Sequence, residues 1–95
     1  MTCSAKEFFE TMVAINYALD TDIAEEQKIA LMNKQARMTI QIENAISDLS
    51  SIERLLIRYR YIETMTQSSI AERIELSTRH VKRLLSVLTA KVFAQ

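Results

Sequence analysis

Apolar residues recur every three or four positions along most of this chain, which is the spacing of one face of an α-helix. The first such stripe consists of Phe8, Met12, Ile15 and Leu19. Ser4 precedes it, and Glu7 follows Ser4 at the spacing of a capping box, in which a serine side chain and a glutamate cap the start of a helix. We therefore predict a first helix that begins at Ser4 and ends near Asp20.

The next segment carries two apolar stripes. Thr21 or Asp22 is the expected N-cap, Asp22 with Glu25 repeats the capping box, and the helix runs to about Ile46. One stripe is Leu31, Met38, Ile42, Ala45 and Leu49, and the other is Ile29, Met32, Ala36 and Ile40. A second face left exposed would be a sizeable apolar patch, which soluble monomers avoid. We expect one face to pack within the chain and the other against a second copy, which gives a homodimer.

Three shorter helices are predicted in the second half of the chain, with Ser50, Thr66 and Ser77 as N-caps. The last two should span about 67–74 and 78–93. The expected buried faces are Ile52, Leu55, Leu56, Tyr59 and Ile62 in the first of the three helices, and Val81, Leu84, Leu85, Leu88 and Val92 in the last. Arg58 and Tyr61 then face outward, where they either touch phosphates or are simply solvated.

Composition supports an all-α fold, because the chain has neither Gly nor Pro and is rich in good helix formers. We predict an N-terminal helical hairpin over residues 1–49 that mediates oligomerisation, followed by a three-helix DNA-binding unit over residues 50–95. The net charge is zero, yet residues 1–51 hold four basic and eight acidic residues, and residues 52–95 hold eight basic and four acidic ones. This asymmetry indicates that the second half meets a polyanion.

Other features exclude several classes of function. Cys3 is the single cysteine, so we expect a free thiol near a frayed N-terminus and no disulfide or metal site. No apolar run approaches the roughly 18–20 residues that span a bilayer, and the N-terminus does not resemble a signal peptide. We therefore expect a cytoplasmic protein without membrane contact. No nucleophile, general base or metal cluster is visible, which predicts no enzyme activity and no cofactor.

The decisive stretch is residues 67–84, which read QSSIAERIELSTRHVKRL. A short helix, a turn of about three residues and a second helix are typical of a helix-turn-helix. Ala71 supplies the small side chain that a close helix crossing needs. The positions expected to lock the helices together are Ile70, Ile74, Leu76, Val81 and Leu84.

The outer face of the last helix is suited to double-stranded DNA, because Arg and Lys can donate to guanine O6 and N7 and to phosphate oxygens. The helix N-terminus adds a partial positive charge. The predicted DNA-binding residues are Ser77, Thr78, Arg79, His80, Lys82 and Arg83. The alternative is an ordinary solvated helix that happens to be basic, and His80 could be a spectator within it.

Residues 55–88, with the segments RYRYIE and SSIAERIELSTRHVKRLL, resemble region 4 of bacterial sigma factors. Together with the N-terminal SAKEFF and the long helix after it, the chain is similar to short phage-encoded regulators of the RinA/ArpU type. This resemblance implies a regulator of a phage or prophage promoter. Glu75 departs from both groups, which usually have Gly at this turn position because the backbone there takes a positive φ. We therefore expect a turn that is either strained or different in shape, and a different shape would change the helix crossing angle.

Two other functions remain open at this point. A small-terminase-like subunit that recognises DNA for packaging would join a helix-turn-helix to a ring-forming helical segment. An adaptor would bind RNA polymerase as sigma region 4 does, without touching DNA. A dimer would favour regulation, a ring of eight or more copies would favour packaging, and the absence of salt-sensitive DNA binding would favour the adaptor.

Overall fold

The computed structural model describes residues 3–94, which form five helices and no strand. They are α1 (Ala5–Leu19), α2 (Glu25–Ala45), α3 (Ser51–Tyr61), α4 (Gln67–Ile74) and α5 (Thr78–Phe93). Helices α1 and α2 pack as a hairpin, and α3, α4 and α5 pack on one another after it. The all-α prediction and the order of the elements are confirmed. Residues 1 and 2 of the predicted segment 1–49, and residue 95 of the predicted segment 50–95, lie outside the described part.

Four of the five helices begin at the predicted capping residue. The side chains of Ser4, Ser50, Thr66 and Ser77 each accept a hydrogen bond from the backbone N–H three residues further on. At Ser50 the capping box is complete, because the Glu53 carboxylate accepts from the Ser50 N–H at 3.0 Å. These local bonds satisfy N–H groups that a helix leaves unpaired at its first turn.

The start of α2 differs from the prediction. Its N-cap is Ala24, which makes no side-chain capping bond, so neither Thr21 nor Asp22 caps this helix. The Thr21 hydroxyl instead donates to the Ala18 carbonyl at 2.7 Å and closes the end of α1. The hydroxyl is therefore engaged by the preceding helix, and α2 begins with Glu25, whose charge favours a helix N-terminus.

A single cluster of buried side chains joins all five helices. Its members are Phe8, Met12, Ile42, Ile46, Leu56, Ile57, Tyr61, Ile70, Ala71, Val81, Leu85, Leu88 and Val92. The hairpin contributes through α1 and the last turn of α2, so the predicted boundary between residues 49 and 50 separates helices that share a core. Cys3 is a free thiol, as expected, and its half-buried side chain packs against this cluster.

Helix α3 is rotated relative to the prediction. Leu56, Ile57 and Tyr61 are its buried residues, whereas Ile52 is 51% exposed and Tyr59 is half-buried. Both tyrosines are amphipathic and flank an arginine, so the local pattern did not decide between them. The decision comes from the neighbouring helices, which supply an aromatic pocket for only one of the two rings.

That pocket holds Tyr61 between α1 and α5. Its ring lies edge-on to Phe8 with the centroids 6.1 Å apart, and its centroid is 5.1 Å from that of Phe93. Burial raises the pKa of the Tyr61 hydroxyl, an effect that the nearby Arg60 charge opposes. Tyr61 therefore belongs to the core, and the suggestion that it contacts phosphate is wrong.

Helix α2 packs along one side only. Leu31 and Met38 of the first stripe are half-buried, and Ile42 is fully buried. Ile29 and Met32 of the second stripe are each 51% exposed, and Ile40 is 60% exposed. The chain thus covers one apolar face of α2 and leaves the other open, as the two stripes predicted. No helix in the described residues is long and apolar enough to cross a bilayer.

Candidate nucleic-acid interface

The turn between α4 and α5 is built around a left-handed residue. Glu75 has φ 59° and ψ 41°, and the Leu76 N–H donates to the Ala71 carbonyl at 3.0 Å. This bond is the one that ends a helix in a Schellman motif, where the left-handed position is usually Gly. The resemblance to sigma region 4 implied a positive φ at this position, and the structure confirms that Glu75 has one.

The left-handed turn moves the Leu76 side chain outward. Leu76 is 37% exposed, so its expected role in locking the helices is wrong, and it contributes through its backbone N–H instead. Ile70, Ala71 and Val81 are buried as predicted. The small Ala71 lies within the core where α4 and α5 pack most extensively on each other. The packing of these two helices fixes the direction of α5.

Helix α5 begins with an exposed polar turn. The Ser77 side chain accepts from the His80 N–H at 3.1 Å. The predicted contact residues Ser77, Thr78, Arg79, His80, Lys82 and Arg83 are all exposed. On the opposite side of the same helix Val81, Leu85 and Leu88 are buried. The structure therefore brings the six residues together on the open side of α5, and their contact with DNA stays a prediction.

Cations of α3 are engaged within the protein. The Arg54 guanidinium donates to the Leu49 carbonyl at 2.7 Å. The Arg58 Nε donates to the Glu43 carboxylate at 2.7 Å, a bond that raises the pKa of Arg58 and ties α3 to α2. Arg58 thus has a partner inside the chain, which leaves it a poor candidate for the phosphate contact considered above.

Two further cations lie over aromatic rings. The Arg60 guanidinium lies 4.0 Å from the centroid of the Phe9 ring and donates to the Met65 carbonyl at 2.9 Å. The Arg73 guanidinium lies 5.5 Å from the centroid of the Tyr59 ring. Cation–π contacts of this kind use the charge to hold neighbouring elements together. The positive charge of the second half is therefore partly structural.

The cations of the first half of α5 are different. Within the described residues, the side chains of Arg79, Lys82 and Arg83 form no ion pair and no hydrogen bond. Their guanidinium and ammonium donors are directed to solvent from one short stretch of helix. This distribution separates a free basic face from the engaged arginines of α3 and α4, a distinction that the charge count could not make.

A shallow groove continues this face toward α4. Lys82 and Ser86 of α5 line it together with Gln67 at the start of α4 and Arg60 of α3. Sequence reasoning missed Gln67 and Ser86. Gln67 could have been found from its position, because it directly follows the capping Thr66 and so is the first residue of α4. No group of three potential metal ligands occurs among the residues 3–94.

Comparison with known proteins identifies the fold of this unit. Residues 45–87, from the end of α2 into α5, match the family described as Sigma-70, region 4. The chain is 38% identical over 56 residues to the RNA polymerase sigma-F factor of Bacillus subtilis (strain 168). That alignment covers 59% of this chain but only 22% of the sigma factor, so the chain spans about a fifth of this relative's length. No solved structure is significantly similar to the chain.

These similarities confirm the helix-turn-helix of the sigma region 4 type that was predicted for residues 55–88. The matched segment contains all six predicted contact residues and the left-handed Glu75. The similarity to RinA/ArpU regulators has no counterpart in these comparisons and stays a prediction.

Proposed function

We propose that this protein is a sequence-specific DNA-binding regulator of transcription that reads the major groove with the first half of α5. The observation that carries the proposal is the free basic face of Arg79, Lys82 and Arg83, opposite the buried side of the same helix. In helix-turn-helix proteins the N-terminal residues of the second helix contact base edges. The similarity of residues 45–87 to sigma region 4 supports the same orientation.

Individual roles follow from position along α5. Arg79 lies in the first turn, where a guanidinium can donate two hydrogen bonds to guanine O6 and N7. Arg83 lies one turn further on and is better placed for a phosphate at the groove wall. Lys82 shares the Arg79 face, and Ser77, Thr78 and His80 add donors around the helix start.

Single substitutions separate these two kinds of contact. Arg79→Ala should weaken binding to the cognate duplex by about 1–3 kcal/mol and change binding to random DNA little. Arg83→Ala should weaken both duplexes alike and reduce the salt slope by about one unit. Fluorescence anisotropy over a series of salt concentrations measures both. Equal losses on both duplexes for Arg79→Ala would show that Arg79 contacts only the backbone.

We propose a homodimer that pairs through the hairpin, chiefly through the open apolar stripe of α2. The stripe includes Ile29, Met32 and Ile40, all at least half exposed. Two-fold symmetry would present two copies of α5 to half-sites about 34 Å apart or a multiple of it. Ile40→Lys should give a monomer in light scattering, whereas Gln41→Lys, an exposed neighbour with the same charge change, should remain dimeric. A monomeric parent at micromolar concentration contradicts this proposal, and a ring of eight or more copies supports a packaging role.

We further propose RNA polymerase as a protein partner and a phage or prophage promoter in the cytoplasm as the place of action. The relative found by comparison is named as an RNA polymerase sigma factor, which supports a polymerase contact through the same segment. The SAKEFF segment and the long second helix support the phage-type regulator. If purified polymerase binds the protein while duplex DNA does not, the chain is an adaptor instead.

A further inference from the structure

Asn16, near the end of α1, joins three parts of the protein through one side chain. Its Nδ2 donates to the Ile62 carbonyl at 3.1 Å and to the Thr64 hydroxyl oxygen at 3.2 Å. Its Oδ1 accepts from Gln35 Nε2 of α2 at 2.7 Å. Both amide protons and the amide oxygen are thus engaged, and the side chain is partly buried. This contact links the middle of α2 to the turn between α3 and α4.

The turn that Asn16 holds is a strained one. Thr64 has φ 53°, and a β-branched residue at positive φ is a conformational outlier that persists only where its surroundings hold it. The Thr64 hydroxyl donates to the Glu63 carbonyl at 2.7 Å while it accepts from Asn16. The Met65 N–H then donates a hydrogen bond back to the Tyr59 carbonyl at 2.9 Å. The direction in which the chain enters α4 therefore depends on this set of bonds.

We propose that Asn16 is a positioning residue that couples α2 to the helix-turn-helix. Gln35 of α2 holds the side-chain amide of Asn16 in place. That Asn16 amide in turn holds the Ile62–Thr64 turn, which sets the start of α4. Helix α4 in turn packs on α5, so the contact determines how the basic face is presented. The effect on DNA rests on the proposed function, whereas the effect on the turn does not.

The chemistry of the site requires a carboxamide. Three groups surround the Asn16 side chain: two acceptors, the Ile62 carbonyl and the Thr64 hydroxyl, and one donor, the Gln35 amide. An asparagine matches them, because it offers two N–H groups and one oxygen. An aspartate at position 16 has no N–H to donate, and an alanine leaves the three partners without this bond. Asn16→Asp and Asn16→Ala should therefore both release the turn, although Asp nearly preserves the shape of the side chain.

Amide hydrogen exchange tests the coupling without DNA. In Asn16→Ala and Asn16→Asp the Met65 amide should exchange about two- to tenfold faster relative to amides in the middle of α5, as expected for one lost hydrogen bond. Gln35→Ala leaves the bonds from Asn16 to Ile62 and Thr64 in place. It should therefore cause a smaller increase in Met65 exchange relative to the α5 amides. Ile15→Val, a buried neighbour on α1, should lower global stability and leave this ratio unchanged.

DNA binding by the same variants supplies the second readout. Asn16→Ala and Gln35→Ala should weaken binding about two- to tenfold at temperatures where they are fully folded, while Ile15→Val binds like the parent. If the parent binds no DNA, the proposed function fails and the exchange ratios still decide the coupling. The coupling is overturned if the Met65 amide responds no more than amides of α5, or if Gln35→Ala leaves the Met65 amide unchanged.

Discussion

Replacing Glu75 by Gly should stabilise the protein, because Glu75 occupies the left-handed region with φ 59° and ψ 41°. Its side chain is exposed and makes no hydrogen bond or ion pair among the described residues. The substitution therefore removes a backbone penalty and no contact that the structure shows. Glycine has no Cβ and adopts this conformation without the steric cost that other residues bear.

The expected gain is the difference between two effects. A non-Gly residue in the left-handed region costs roughly 1–2 kcal/mol. Glycine loses more chain entropy on folding than glutamate does, which reduces the stabilisation by about 0.5–1 kcal/mol. A net stabilisation of about 0.5–1 kcal/mol remains, and for a domain of this size it should raise Tm by about 2–8 °C.

Thermal unfolding followed by circular dichroism measures this shift. Glu75→Ala is the control, because it removes the same charge but keeps the Cβ, and its Tm should remain close to that of the parent. Glu72→Gly, at an exposed position inside α4, should instead cost about 1 kcal/mol. If the Gly variant at position 75 melts no higher than the Ala variant, the left-handed backbone is not a source of strain.

Two further predictions concern the start of α3 and the α4–α5 crossing. The hydrogen bond from the Ser50 backbone N–H, and to a lesser extent the Ser50 side chain, lowers the pKa of the Glu53 carboxyl from its ordinary value. The capping contribution of Glu53 is therefore fully present above the ordinary glutamate pKa and is lost as the pH falls through the lowered one. Glu53→Gln should therefore show a smaller loss of stability between pH 6 and acidic pH in urea titrations, and equal losses in both proteins would contradict this. Ala71→Leu should destabilise the protein by about 1–3 kcal/mol through overpacking, whereas Ala90→Leu on the exposed side of α5 should have little effect, and similar losses would show that the crossing has room.

Much of the fold could be predicted from local chemistry. Serine and threonine caps gave four of the five helix starts, and the second apolar stripe of α2 was identified as a face left open by the chain. The positive φ at Glu75 was implied by the resemblance to sigma region 4, in which this turn position is usually Gly, and not by the local sequence. The helix starts and the α2 stripe were inferred from short-range hydrogen-bonding patterns and helical spacing, which depend on residues close together in the sequence.

The errors at the start of α2 and at Leu76 are local, whereas the wrong choice between two tyrosines and the omission of Asn16 arose where distant parts of the chain decide. Tyr59 and Tyr61 have the same residue type and the same arginine neighbour, so the local sequence does not distinguish them. Tyr61 lies in the core because aromatic rings from α1 and α5 pack against it. Asn16 bonds to residues 19, 46 and 48 positions away, so no local pattern marked it. The basic side of α5 was correctly predicted to be exposed. The sequence could not show that the arginines of α3 and α4 are engaged within the protein, because their partners are known only from the structure.

DNA binding by a charge-neutralised α5 is the most direct test of the central claim. The variant Arg79→Ala, Lys82→Ala and Arg83→Ala removes three exposed cations from the basic face. Its control removes three exposed cations elsewhere, at Lys6, Lys28 and Lys34, so the change in net charge is the same. Both are titrated with the promoter-proximal DNA of the protein's own gene and with an unrelated duplex over a range of salt concentrations.

The account predicts that the α5 variant remains folded by circular dichroism and loses both its preference for the cognate duplex and most of its salt-dependent affinity. The control variant should keep that preference and lose only a small, nonspecific part of the affinity. If the folded α5 variant binds the cognate duplex as tightly as the parent at every salt concentration, α5 does not read DNA and the central claim is wrong.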